Sequence, residues 1–126
     1  MQKVFAFFTA LLLAAGPVFS IGFDLTADNM RDIDDTTKSL SSNLATQDKA
    51  SALKEAQEID AFFRQVQGYY EAKGSAEDAV DYARKSHELA GQIAKSVAAN
   101  DLDTAAATVS SLTRICKSCH NAYKTD

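Results

Sequence analysis

The sequence predicts an all-α fold, an antiparallel up-down-up-down four-helix bundle, and three observations carry that expectation. From residue 21 onward there is no proline, and glycine occurs only at 22, 68, 74 and 91. Nowhere does the apolar pattern alternate with the period of two that a half-buried strand requires. Instead, apolar residues recur at steps of three and four in blocks separated by short polar joints. Such joints make consecutive helices antiparallel neighbours, and left-handed bundle packing accepts this spacing.

Residues 1–20 stand apart from this pattern. Lys3 precedes the apolar run Val4 to Ala15, and Val18-Phe19-Ser20 places small residues one and three positions before a cut. We expect a cleavable secretory signal peptide, and therefore export to the periplasm. The run is shorter than the roughly 20 residues a bilayer requires, and no cysteine follows it that could carry a lipid anchor, so no stable membrane anchor is expected. The mature chain is expected from about Ile21, and residues 21–126 have the size of one domain.

Helix α1 is expected to begin after Thr26 or Asp28, both good N-caps, and to run to about Gln47, with Met30, Ile33, Thr37, Leu40 and Leu44 on one stripe. Helix α2 is expected from about Lys49 to Lys73, with Leu53, Ala56, Ile59, Phe63, Val66 and Tyr70 inward and Gly74 closing it in a left-handed cap. Ser75 before Ala-Glu-Asp supplies a cap and an acidic first turn, so α3 should span about 76–99, burying Ala79, Ala83, Ala90, Ile93 and Val97. Asn100-Asp101 stops that helix and caps α4. The α4 stripe is Leu102, Ala105, Val109, Leu112, Cys116, Cys119 and Tyr123.

The chain has 13 Lys+Arg against 17 Asp+Glu, and loss of Lys3 leaves the mature protein at about −5. Nucleic acid is not expected as a partner for such a surface. An acidic face does suit transient docking to a basic redox partner, because long-range attraction raises the encounter rate. Two bundles could also pair through exposed faces of α1 and α2 as a homodimer.

The last helix carries the chemistry. Cys116-Lys117-Ser118-Cys119-His120 is the Cys-x-x-Cys-His spacing by which c-type haem is attached: two thiols add to the porphyrin vinyls and the imidazole binds iron. A disulfide between the only two cysteines would close too short a loop to constrain the unfolded chain, and would leave His120 unexplained. Zinc would need four arranged ligands. On a helix, Cys116 and Cys119 share a face, and His120 lies one turn beyond Cys116. One covalent haem c is therefore expected, with His120 as the proximal ligand.

The bundle topology bears on the distal ligand. The start of α1 lies beside the end of α4, so Met30 is at about the depth of His120 and on the inward stripe. Its thioether opposite the imidazole would give six-coordinate, low-spin iron. Ordinary core filling by Met30 is the alternative. His87, the other histidine, lies about eleven residues into α3, roughly 16 Å from its start, and is too far down the bundle. It is expected to be solvated or at the core edge. Phe63, Val66, Tyr69, Tyr70, Ala79, Ala83 and Tyr123 could line the haem pocket, and core packing explains the same stripes. Arg31 could pair with a propionate or stand exposed. Lys117 and Lys124 suit the negative end of the α4 dipole.

With these residues in view, the chain resembles the class II c-type cytochromes, that is, the cytochrome c prime family and its low-spin, methionine-ligated relatives. The resemblance covers essentially all of the mature chain and rests on the Cys116-to-Lys124 segment, close to that family's Cys-x-x-Cys-His-x-x-aromatic-basic ending, and on Met30 at the family's first-helix ligand position. Lys124 departs from it, since many members carry arginine there. The resemblance implies a periplasmic one-electron carrier if Met30 ligates iron, or a five-coordinate protein that binds nitric oxide or carbon monoxide if it does not. No enzyme activity is expected. A haem peroxidase would need a positioned acid or base, and His87 and the carboxylates Asp34 and Asp35 do not form such a constellation.

Overall fold

The computed structural model describes residues 22–74 and 76–123. The proposed signal peptide, the expected cap Ser75 and Lys124 lie outside the described residues. The described residues are helical with no strand: α1 spans Ala27–Ala45, α2 Lys49–Lys73, α3 Glu77–Ala98 and α4 Leu102–Ala122. Each boundary falls within two residues of the sequence expectation. Among the described residues no helix is long and apolar enough to cross a membrane.

Local chemistry sets each helix end. Thr26 opens α1 through a capping box in which its Oγ1 accepts from the Asn29 amide at 3.2 Å while the Asn29 Oδ1 accepts from the Thr26 amide at 2.9 Å. Asp48 caps α2 by accepting from the Ser51 amide, and Asp101 caps α4 by accepting from the Thr104 amide, each at 3.2 Å. Gly74 ends α2 at φ +70°, where a side chain is disfavoured. Ala76, at the start of α3, makes no side-chain cap bond.

The joints between α1 and α2 and between α3 and α4 are the same device. Gln47 and Asn100 take left-handed conformations with φ of 60° and 61°. The Gln47 and Asp48 amides then donate to the Leu44 and Asn43 carbonyls, and the Asn100 and Asp101 amides donate to Val97 and Ser96. These are Schellman pairs, and in each the next residue, Asp48 or Asp101, is already the N-cap of the following helix.

Packing runs around a ring. Close backbone approaches are most extensive between α2 and α3, fewer between α3 and α4, fewer again between α1 and α2, and fewest between α1 and α4. The diagonal pairs make none among the described residues. One continuous core joins Ile33, Leu40 and Leu44 of α1, Ile59 and Phe63 of α2, Ala90 and Ile93 of α3, and Val109 and Leu112 of α4. All five inward positions expected on α3 are buried. Met30, Thr37, Leu53, Tyr70, Leu102, Cys116, Cys119 and Tyr123 are only half-buried; those on α1 and α4 belong to the least extensively packed pair of neighbouring helices. Ser86 and Ala52 are buried as well; the Ser86 hydroxyl satisfies itself by donating to the Tyr82 carbonyl at 2.8 Å.

Candidate haem-attachment site

The last turns of α4 hold both cysteines as free thiols on an uninterrupted helix. Cys116 packs against the core, and burial pushes its thiol up to about 11, with further contributions from Cys119 and from the Asp34 carboxylate on α1. Burial raises the Cys119 thiol as well. Both are therefore neutral thiols at physiological pH. His120 is exposed.

In the antiparallel pair α1 and α4 the Asp34 carboxylate is near enough to Cys116 to influence its thiol. Met30, half-buried in the first turn of α1, and His120, in the last turn of α4, lie toward the same end of the bundle. Among the described residues no three His, Cys, Asp or Glu side chains converge. The donors of the motif are strung along a helix face rather than gathered around a point.

Toward the Gln47 end, a surface groove of about 640 Å³ runs between Ser41, Leu44 and Ala45 of α1 and Ala106, Val109 and Ser110 of α4. Thr113 lines its upper end, and no residue of the motif does.

Aromatic side chains gather toward the end of the bundle that bears the motif. Tyr70 on α2 and Tyr123 at the end of α4 meet with ring centroids 5.8 Å apart, which spans the bundle diagonal. Burial raises the Tyr70 phenol, and the neighbouring Cys119, Tyr69 and Tyr123 add to the effect. The edge-to-face series continues from Tyr70 to Tyr69 at 5.2 Å, from Tyr69 to Phe23 at 6.4 Å and from Phe23 to Phe62 at 5.7 Å. Phe63 packs edge-to-face on Phe62 at 5.3 Å. Sequence periodicity missed Phe23, which precedes α1 and belongs to no helical stripe.

The remaining expected residues divide. Phe63, Val66, Ala79 and Ala83 are buried at this end of the bundle. Arg31 points outward and pairs with Asp28 at 3.3 Å. Lys117 is exposed. His87 is not solvated: its side chain is 13% exposed, and its Nε2 lies 2.8 Å from the Gln67 Oε1 on α2. It is a core-edge residue of the α2–α3 interface. Comparison with family models, curated proteins and solved structures gave no match.

Proposed function

We propose that this protein is a periplasmic c-type cytochrome that carries one electron on a single covalent low-spin haem, in the manner of the methionine-ligated class II cytochromes. The feature that carries the reading is the donor set: two free thiols three residues apart on the last helix, an imidazole one turn beyond the first of them, and a half-buried Met30 in the first turn of the antiparallel α1, at the same end of the bundle. These residues fit the group. Cys116 and Cys119 would hold the macrocycle through thioethers, His120 would bind iron on one side and Met30 on the other. Haem bound there supplies one-electron iron chemistry.

The chain's own part is to hold and shield. Phe63, Val66 and Ala83 offer apolar surface, Tyr70 and Tyr123 wall the diagonal, and the half-buried position of Met30 keeps its thioether away from bulk water. No substrate chemistry is needed, so the protein is read as a carrier rather than an enzyme. Its partners are transient redox proteins with a basic face, reached by charge-assisted encounter.

Spectra of the protein matured in a periplasm that attaches haem test this directly. The carrier shows a methionine-to-iron charge-transfer band when oxidised and does not react with carbon monoxide when reduced. Met30→Ala should abolish the band and allow carbon monoxide to bind. High-spin iron that binds carbon monoxide in the parent protein would replace this reading with the five-coordinate, gas-binding one. Absence of covalent haem would reject both.

A further inference from the structure

We infer that His87 is a proton-operated clasp between α2 and α3: it takes up a proton at Nδ1 and then bridges Gln67 and Asp60, two turns apart on the facing helix. The hydrogen bonds decide which nitrogen is available. A carboxylate only accepts, so the 2.7 Å contact between the Gln67 Nε2 and the Glu71 Oε1 turns the amide nitrogen toward Glu71 and leaves the Gln67 Oε1 for the ring. That oxygen also only accepts. His87 Nε2, 2.8 Å from it, therefore carries the hydrogen, and in the neutral ring Nδ1 is the bare nitrogen. Nδ1 is buried with no hydrogen-bond partner.

What faces that nitrogen is a carboxylate. The Asp60 Oδ1 lies 3.8 Å from Nδ1, so a lone pair meets negative charge while the ring is neutral. A proton on Nδ1 reverses the sign. The imidazolium can then donate to Asp60 in a charge-assisted bond of about 2.8 Å, for which the carboxylate closes by about 1 Å. It lies over Gly91 of α3, where a β-carbon would stand 3.9 Å from Oδ2 and none exists. Arg64 of α2 already donates to Oδ1 at 2.8 Å, and a carboxylate accepts from both donors. The other charges near the ring are engaged elsewhere. On α3, Arg84 is exposed and paired with Asp81 and Glu88, and on α4, Arg114 is exposed and donates to Ser111. Among the described residues, Asp60 is the one carboxylate in ion-pair range of the ring.

The clasp sits behind the proposed pocket. Asp60 and Gln67 bracket Phe63 and Val66 on α2, and Ala83 precedes His87 by one turn on α3, so protonation tightens the two helices that carry those side chains. It works with or without haem.

A double-mutant cycle tests the clasp. Urea unfolding of the parent chain, Asp60→Asn, His87→Gln and the double variant is measured at about pH 5.5, where imidazole is largely protonated, and at about pH 8, where it is neutral. Favourable coupling between the two positions should multiply the unfolding equilibrium constant by at least about threefold more at the acid pH. His120 and the Arg64 contact cancel in the cycle. A smaller difference, or stronger coupling at the alkaline pH, overturns the clasp. Should a variant fail to fold, long-range proton–nitrogen NMR of His87 in the parent chain decides. A bare Nδ1 at the alkaline pH that gains a slowly exchanging hydrogen at the acid pH is expected. A hydrogen on Nδ1 at the alkaline pH, or one that exchanges as fast as in free imidazole at the acid pH, overturns it.

Discussion

Single side chains in this protein are legible to different depths. Spacing alone singles out Cys116, Cys119 and His120 as candidates, and topology adds Met30, whereas the surroundings of His87 depend on Gln67, twenty residues away in sequence and invisible to periodicity. That contact makes a prediction. Gln67→Ala leaves the half-buried Nε2 without its partner, while Nδ1 already lacks one, so the variant should lose about 1–2 kcal/mol in denaturant unfolding. Leu112, fully buried on α4, should cost about 2–5 kcal/mol as Leu112→Ala by the same measurement. The thiols carry a pH signature. Burial raises the folded-state pKa of Cys116 to about 11, so the neutral thiol contributes stability that is complete below the ordinary thiol range and is lost as pH rises toward 11. In haem-free protein, Tm should fall across that window, and Cys116→Ala should flatten the fall.

Helix ends show why element boundaries were so readable. Thr26, Asp48, Gly74 and Asp101 are strong local signals, and the structure uses every one of them. The geometry of the joints was less readable, because nothing in Thr-Gln-Asp announces a left-handed residue. A side chain at φ 60° is strained where glycine is not, so Gln47→Gly should raise stability by roughly 0.5–1 kcal/mol, and Asn100→Gly by less, since asparagine tolerates this conformation. Hydrogen bonds from Ser51 and Thr104 hold the Asp48 and Asp101 carboxyls below their ordinary value. Their stabilisation is therefore present above that value and is lost as pH falls through the lowered pKa. Asp48→Asn should weaken the acid limb of a Tm-versus-pH curve below the ordinary carboxylate range, while leaving Tm near pH 7 less affected than Asp48→Ala does.

At the scale of the whole molecule, the four helices and the ring order were legible because periodicity and short connections leave few alternatives. Unequal closure of the ring was not legible. Leu102 and Cys116 continue the apolar stripe of α4, yet they are half-buried, and α4 packs least on its neighbour α1. The same inequality concentrates the proposed chemistry at one seam. On the proposed carrier reading, a net charge of −4, or about −5 without residues 1–20, predicts that electron transfer to a basic partner slows as salt rises from 10 to 200 mM, with stopped-flow rates as the readout. The tyrosines carry a consequence for observation. The chain contains no tryptophan and four tyrosines, and Tyr69, Tyr70, Tyr82 and Tyr123 all lie in the half of the bundle that bears the cysteines. Ultraviolet emission from this protein is thus a built-in optical probe of one end only. Loss of helical dichroism without a change in that emission would report melting that starts at the Asp48 and Asp101 end, and the reverse order would report loosening around the motif.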